Sequence, residues 1–336
     1  MTGPLPTGLA LGLLGAAIAV AIAARRPLGR WWLAPLAPTR LAALRLVVGT
    51  FAVGYLGGRF LHLVGYGAFA AADFRPVGVV DLLLDRPLSS AAWTALVVAT
   101  TILAVAFAVG AWHRWLAPAF AALLLFTLTY RNSFGMVFHT ENLLVLHVAI
   151  LAVSPAADAW SVDAWRRLRR GRTPPAPDGR YAWAVRTAAV VTVSTYVLAG
   201  IARLRLAGDA WLGGEQLRNQ IAIDNLRKHV LGDRIADLAV PLLEHPGAFT
   251  VLALATLVVE LGAPVALVGG RVAGLWIATA WGFHVGVVAL MNIWFPYPLA
   301  LVAYAPLVAC DRPIAWALAR IRTSRARPAP AGSGDP

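Results

Sequence analysis

Residues 91–111 read AAWTALVVATTILAVAFAVGA and contain no charged side chain. An α-helix rises about 1.5 Å per residue, so a run of this length covers the roughly 30 Å hydrocarbon core of a bilayer. Within that core each backbone N–H and C=O group needs a hydrogen bond, and a helix supplies these bonds internally. The stretch therefore predicts a membrane-spanning helix in an all-α fold.

Similar apolar runs recur along the chain, separated by breaks rich in Arg or in Pro and Gly. Of the 336 residues, 59% are hydrophobic and 13% are charged, whereas soluble domains are roughly a quarter charged. We predict a polytopic transmembrane bundle of eight or nine spans, near residues 9–24, 42–64, 91–111, 116–130, 142–157, 182–202, 248–269, 273–291 and 296–310.

The chain divides into three predicted segments. Residues 1–38 form an N-terminal membrane anchor and a basic loop, because Arg25 and Arg26 follow the first apolar run instead of preceding it as in a secretory signal. Residues 39–312 form the transmembrane bundle. Residues 313–336, rich in Pro, Ala, Gly and Ser, are expected to be a basic, disordered cytoplasmic tail.

Basic residues predict the orientation of the bundle in the cell membrane. They cluster at Arg25 to Arg45, His113 to Arg114, Arg166 to Arg180, Arg271, and Arg312 to Arg327. Cytoplasmic loops carry an excess of Arg and Lys, so the N-terminus is expected outside and the C-terminus in the cytoplasm. The external segment 203–247 also carries basic residues, which nearby acidic residues offset.

The external segment has apolar residues in a partly helical rhythm, at Leu217, Ile221, Leu226, Val230 and Leu238. Such a pattern predicts short amphipathic helices on the outer membrane surface. The formal net charge of the chain is +13. Because the charges lie in short loops beside spans, membrane lipid with anionic headgroups is the expected partner, and nucleic acid is not. The oligomeric state is not predicted.

Polar residues at membrane depth are costly, so they tend to face protein or water and mark candidate sites. The first group is Arg131, Asn132, His139, Glu141 and Asn142, between two predicted spans. A histidine can carry a proton near neutral pH. The alternative is an exposed loop that ends in a helix cap.

The second group is His284 in the eighth span, followed two helical turns later by Asn292. The third is Glu260 in the seventh span, with Pro264 after it. An isolated carboxylate in hydrocarbon must be protonated, paired or beside water. A hydrogen-bonded packing role for His284 and an Arg partner for Glu260 are the structural alternatives.

The fourth group is Tyr196, Arg203 and Trp211, where the sixth span leaves the membrane. Trp and Arg at such an interface are often membrane anchors. On the predicted topology, one cavity open to the outside could collect all four groups. The single cysteine, Cys310, excludes an intramolecular disulfide, and no metal site is expected.

Five stretches together resemble the HTTM domain, the membrane domain shared with vitamin K-dependent gamma-carboxylase, over roughly residues 39–312. They are YVLAGIARL at 196–204 with WLGG at 211–214, FHTENLL at 138–144 with WSVD at 160–163, VVELGAP at 258–264, Phe283 and His284 ahead of Met291 and Asn292, and FRPVGV at 74–79. The resemblance implies a helical bundle with an exoplasmic cavity. In the carboxylase, vitamin K hydroquinone is oxygenated there and a Glu side chain is carboxylated.

The resemblance suggests a quinone of the vitamin K hydroquinone type as cofactor. The candidate catalytic residues are His139 and His284 for proton handling and Arg203 for stabilising an anion. The candidate substrate-binding residues are Arg131, Glu141, Asn142, Tyr196, Trp211, Glu260 and Asn292.

One departure from the carboxylase concerns its key Lys, which aligns with Arg203. A guanidinium keeps its proton up to about pH 12, so it cannot act as a base in place of an amine. We expect no counterpart of the large lumenal domain that engages protein substrates in the carboxylase, and therefore no propeptide-directed carboxylation. Three hypotheses stay open: a carboxylase- or oxygenase-like enzyme acting on a quinone or another lipid-soluble substrate, a non-catalytic binder or carrier of lipid, and a membrane scaffold.

Overall fold

The computed structural model describes residues 25–325, which are predominantly helical. Its α-helices are α1 (Arg25–Leu33), α2 (Pro38–Gly58), α3 (Phe60–Gly65), α4 (Gly78–Asp81), α5 (Ser90–Val109), α6 (His113–Asn132), α7 (Asn142–Ala152), α8 (Val162–Arg169), α9 (Gly179–Ala207), α10 (Asp209–Leu212), α11 (Glu215–Val230), α12 (Ala239–Leu242), α13 (Pro246–Leu261), α14 (Gly270–Met291), α15 (Pro296–Leu299) and α16 (Asp311–Arg325). Short 3₁₀ helices lie at Tyr66–Ala68, Ala71–Asp73, Ala263–Val268 and Val302–Leu307. The all-α fold class is confirmed.

Helix α5 corresponds to the uncharged apolar run at residues 91–111. The Ser89 hydroxyl accepts a hydrogen bond from the Ala92 backbone N–H at 3.3 Å, which caps the first turn. Gly110 ends the helix in the left-handed conformation, with φ of 65°. Local capping therefore sets both boundaries close to the predicted ones.

Four helices in the described part of the chain are long and apolar enough to cross a membrane: α2, α5, α9 and α14. Each coincides with a predicted span. Helices α7 and α13 are apolar but shorter. The predicted count of eight or nine spans is therefore not confirmed, and the first span, at residues 9–24, lies outside the described residues.

Two of the predicted spans lose their helical continuity near proline. The span at 296–310 contains only α15 and the 3₁₀ helix Val302–Leu307, since Pro296, Pro298 and Pro306 remove backbone donors. The span at 248–269 begins in α13, but the helix ends at Leu261 and a 3₁₀ helix containing Pro264 follows. Proline therefore interrupts both apolar runs.

The C-terminal segment also differs from the expectation. Helix α16 continues to Arg325, so the part of the predicted disordered tail that the structure describes is helical. The Arg40 guanidinium lies 3.2 Å from the Asp311 carboxylate, which links α2 to the start of α16. Residues 326–336 lie outside the described range.

Helix α9 lies at the centre of the described bundle. It contacts α1, α2, α7, α13 and the 3₁₀ helices Ala263–Val268 and Val302–Leu307. The other half of the bundle is a series in which α2 packs on α5, α5 on α6, and α6 on α7. Polar side chains on α9 are therefore surrounded by protein on several sides.

The predicted external helices are one longer helix, α11, and two single turns, α10 and α12. Ile221 is buried in a small apolar cluster with Phe249, and Leu217 packs against it. Leu226 and Val230, which were expected on the same apolar face, are exposed. The first half of α11 thus covers the start of α13 and the end of α14.

The Asp163 carboxylate caps a helix from a different segment of the chain. It accepts hydrogen bonds from the backbone N–H groups of Trp112 and His113, at 2.9 and 2.8 Å. Unpaired N–H groups at a helix N-terminus favour such a negative partner. This contact gives the WSVD stretch a structural role at the start of α6.

Gly49 marks the closest approach of α2 and α5. A Cβ atom at this position would lie 2.7 Å from the Ala108 Cα atom. Gly54, on the same helix, is exposed, and a Cβ there would meet nothing within 4 Å. Of these two glycines, Gly49 is the one that helix packing requires.

We expect Gly49→Ala to lower the free energy of unfolding in detergent micelles by about 1–3 kcal/mol, because the helices must separate. Gly54→Ala is the matched control and should be neutral or slightly stabilising, since Ala favours helix over Gly. Thermal unfolding monitored by circular dichroism measures both. Identical melting of Gly49→Ala and the wild type would contradict the close packing.

Candidate functional site

A cavity of about 350 Å³ lies among α7, α9, α13 and α14 and the loops before α7 and after α14. Its lining includes six of the predicted site residues, namely His139, Asn142, Tyr196, Arg203, Glu260 and His284. We refer to it as the polar cavity. A neighbouring cavity of about 400 Å³, here the outer cavity, shares four lining residues with it: His139, Thr140, Ile293 and Phe295.

Helix geometry accounts for part of this convergence. Tyr196 and Arg203 are seven residues apart on α9, which places them on one face about two turns apart. Glu260 lies in the last turn of α13 and His284 in the second half of α14. The three helices therefore bring separate polar residues to one space.

Tyr196 and His284 form a hydrogen-bonded cluster with Tyr304. The Tyr196 hydroxyl lies 2.8 Å from His284 Nε2 and 2.8 Å from the Tyr304 hydroxyl. All three side chains are buried. His284 Nδ1 is also buried, and it has no hydrogen-bond partner among residues 25–325. The Nε2 atom of the imidazole is thus bound by Tyr196, whereas the Nδ1 atom makes no hydrogen bond to the described residues.

Arg203 is held by a carboxylate and an aromatic ring. Its Nε atom donates to the two Glu260 carboxylate oxygens, at 2.8 and 3.1 Å. Its guanidinium carbon lies 4.4 Å from the Trp211 ring centroid, a distance typical of cation–π contact. Both hydrogen bonds use Nε, so the terminal nitrogens make none to the described residues. Arg203 is therefore oriented while its outer edge stays available.

Trp211 was predicted to bind substrate, but it does not line the polar cavity. The indole is buried beneath Arg203, and its N–H donates to the Ala253 carbonyl at 3.3 Å. Trp211 therefore positions Arg203 and connects α10 to α13. Its membrane-anchor alternative does not describe this buried position.

Arg131 and Glu141 form a second ion pair, which lines the outer cavity. Arg131 Nη2 lies 2.9 Å from Glu141 Oε2, and both side chains are almost fully buried. The Tyr55 hydroxyl donates to Glu141 Oε1 at 2.6 Å and accepts from Arg131 Nη1 at 3.1 Å. Sequence reasoning predicted the first two residues and missed Tyr55.

Burial favours the neutral acid and raises the pKa of Glu141, but the hydrogen bond and the charge of Arg131 outweigh burial. The pKa of Glu141 therefore lies below its ordinary value. The carboxylate is charged at neutral pH, and the pair neutralises the buried Arg131. We assign this cluster to holding α2, α6 and the start of α7 together at the mouth of the outer cavity.

Asn292 ends α14 in the left-handed conformation, with φ of 47°, which asparagine tolerates better than most residues. Its side-chain amide donates to the Arg234 carbonyl at 3.3 Å. Asn292 lines the outer cavity and not the polar cavity. Asn292 therefore lies beside the polar cavity and does not contribute to its lining.

His139 and Asn142 lie at the opening of the polar cavity, and both are exposed. The His139 ring centroid lies 5.7 Å from that of Phe295, and the Phe295 centroid lies 5.1 Å from that of His284. Phe295 therefore separates the exposed histidine from the buried one. The two predicted catalytic histidines line the same cavity without contacting each other.

Sequence reasoning missed a second buried histidine, His147 on α7. Its Nδ1 lies 2.8 Å from the Tyr297 hydroxyl, and its Nε2 lies 3.1 Å from Thr192 Oγ1 and 3.2 Å from the Ala188 carbonyl. The rule that selected His284, a histidine inside an apolar run, selects His147 equally well. Since both ring nitrogens have protein partners, His147 ties helices together.

The described residues contain no group of three or more His, Cys, Asp or Glu side chains that could hold a metal ion. The polar cavity is lined by imidazole, phenol, guanidinium and carboxylate groups. These groups can donate and accept hydrogen bonds and can stabilise negative charge.

Long apolar helices arranged around buried polar clusters define an integral membrane protein. Residues 34–310 match the family model of the HTTM domain, and the chain belongs to the HTTM family. The match covers most of the chain and confirms the resemblance found from the five stretches. Searches of curated proteins and of solved structures find no match.

We expect Glu141→Gln to lower the free energy of unfolding by about 3–5 kcal/mol, because it leaves the buried Arg131 charge unpaired. Tyr55→Phe is the control and removes only a hydroxyl from the same cluster, which costs about 1 kcal/mol. Denaturation of both variants in mixed micelles measures the difference. Equal losses in the two variants would contradict the assignment of Arg131 and Glu141 as the essential pair.

Proposed function

We propose that the polar cavity binds a quinone or another lipid-soluble ligand with a polar head, which contacts His284 and Arg203. The observation that carries the proposal is the unpartnered, buried Nδ1 of His284. Buried polar atoms in proteins nearly always have a partner, and an exception calls for an explanation. A ligand in the cavity that His284 lines would supply the missing partner.

The hydrogen-bond pattern of Tyr196 suits a ligand that changes between two redox states. If Tyr196 donates to His284 Nε2, the imidazole proton lies on Nδ1, which then donates to a quinone carbonyl. If Nε2 donates to Tyr196, Nδ1 accepts from a hydroquinone hydroxyl. A tautomeric change of one ring therefore matches both forms.

Arg203 supports the same proposal through charge. Its side chain is 28% exposed, and the Glu260 side chain that pairs with it is 2% exposed. The pair presents the terminal guanidinium nitrogens as donors for an oxyanion, such as a deprotonated hydroquinone. We propose that His139, at the opening of the polar cavity, exchanges protons with the external solution. This proposal uses the membrane orientation predicted from the basic residues.

A second candidate function, binding or carrying a lipid without catalysis, has its own support. Carboxylase chemistry calls for a basic amine, whereas the aligned residue is Arg203, which is paired with Glu260. A permanently charged guanidinium binds a headgroup or carboxylate but does not abstract a proton. The charged Arg203 therefore supports binding of a ligand in the polar cavity more directly than it supports a catalysed reaction. A scaffold role leaves the cavity of about 350 Å³ unexplained.

We expect His284→Gln to weaken binding of menadione, a naphthoquinone, about tenfold, the value of one hydrogen bond near the upper end of its range. Glutamine reaches about as far as Nε2, so it keeps a partner for Tyr196 and removes the group at Nδ1. Quenching of tryptophan fluorescence in lipid nanodiscs gives the Kd.

The control for this experiment is His229→Asn, an exposed histidine that lines neither cavity. It should bind menadione with the wild-type Kd. Equal binding by His284→Gln and the wild type, with equal melting temperatures, would contradict the role of His284. Weaker binding in the control as well would show that the loss in His284→Gln is not specific to the polar cavity.

A further inference from the structure

A second, apolar space opens beside the polar cavity, between α11, α13 and α14. It has a volume of about 340 Å³, and we refer to it as the lateral groove. Its walls include Leu217 and Ile221 of α11, Leu252 and Val259 of α13, and Gly282 and Gly286 of α14. No charged side chain lines it.

The two threonines of the groove have their hydroxyls occupied. Thr256 donates to the Leu252 carbonyl at 2.9 Å, and Thr279 donates to the Trp276 carbonyl at 2.8 Å. These bonds satisfy both hydroxyl protons within the helices that carry them. The groove therefore presents a surface suited to hydrocarbon.

Gly282 and Gly286 create the groove by lacking side chains. They are four residues apart on α14 and lie on one face. A Cβ atom added at either position would meet no atom within 4 Å. In membrane proteins such spacing commonly allows a neighbouring helix to approach, but no described helix fills this space.

The groove and the polar cavity share one wall. Phe283, Val287 and Met291 of α14 line both. His284, between two of these positions in the sequence, lines only the polar cavity, whereas Gly282 and Gly286 line only the groove. A single molecule could therefore place a polar head beside His284 and pass an apolar chain around this wall.

We propose that the lateral groove holds the hydrocarbon chain of the ligand, which is a chain-bearing membrane amphiphile that enters sideways from the bilayer. The proposal rests on the proposed function, because the polar cavity must hold the head. The wall of Phe283, Val287 and Met291 that the groove shares with the polar cavity favours a chain of the same ligand over a second copy of the protein. Each buried methylene strengthens apolar binding, so the chain should dominate affinity.

The test compares menaquinone-4, which carries an isoprenoid chain, with chainless menadione, in nanodiscs. Gly282→Trp places an indole in the groove, at a position where a Cβ atom meets nothing within 4 Å, and should weaken menaquinone-4 binding at least tenfold. The same variant should bind menadione with the wild-type Kd. Gly274→Trp is the matched control, since Gly274 lies on the same helix outside the groove and is also free of neighbours within 4 Å.

Three results would overturn the proposal, and they differ from one another. Equal menaquinone-4 binding by Gly282→Trp and Gly274→Trp excludes the groove while leaving the polar cavity intact. A change in oligomeric state in Gly282→Trp, with unchanged quinone affinity, assigns the groove to a second copy of the chain. Failure of the wild type to bind either quinone contradicts the proposed function itself, and the groove proposal with it.

Discussion

The Tyr196 hydroxyl joins three elements near the centre of the bundle. It bonds to His284 on α14 and to Tyr304 in the 3₁₀ helix Val302–Leu307, each at 2.8 Å. A hydroxyl has one proton, so it donates to one neighbour and accepts from the other. The orientation of His284, and with it the direction of its unpartnered Nδ1, depends on this contact between α9 and α14.

Two ion pairs lie in the walls of the two cavities, and three of their four side chains are buried. The pair of Arg203 and Glu260 lies beside His284 in the polar cavity, and the pair of Arg131 and Glu141 lies in the wall of the outer cavity. Buried ion pairs often contribute little net stability, because desolvation offsets their attraction. The pair of Arg131 and Glu141 is assigned to holding helices together, whereas for Arg203 and Glu260, which line the polar cavity, the proposed polar ligand accounts for the charges.

Much of the site could be predicted from the sequence because a polar residue in an apolar run is conspicuous. This reasoning selected His284, Glu260, Tyr196 and Arg203, which line one cavity. The same rule should have selected His147, whose protein partners become visible only when α7 packs on α9. Tyr55 lies in the middle of the predicted span at 42–64, and its bonds to Glu141 and Arg131 become visible only when α2 packs beside α6 and α7.

The apolar runs predicted the long helices well but failed where proline divides an apolar stretch, as at Pro296, Pro298 and Pro306. Hydropathy measures the preference of side chains for lipid and does not report whether the backbone stays helical. The lateral groove was also beyond prediction. Gly282 and Gly286 form a groove only because no described helix covers them, which depends on three-dimensional packing.

Native mass spectrometry with lipid extraction, applied to the purified full chain, tests the central claim most directly. The account predicts that wild-type protein carries a quinone or another isoprenoid lipid at close to one molecule per chain, and that His284→Gln carries much less. Wild-type protein that carries only bulk phospholipid, in the same amounts as His284→Gln, would contradict the account and favour a structural role for the buried polar clusters.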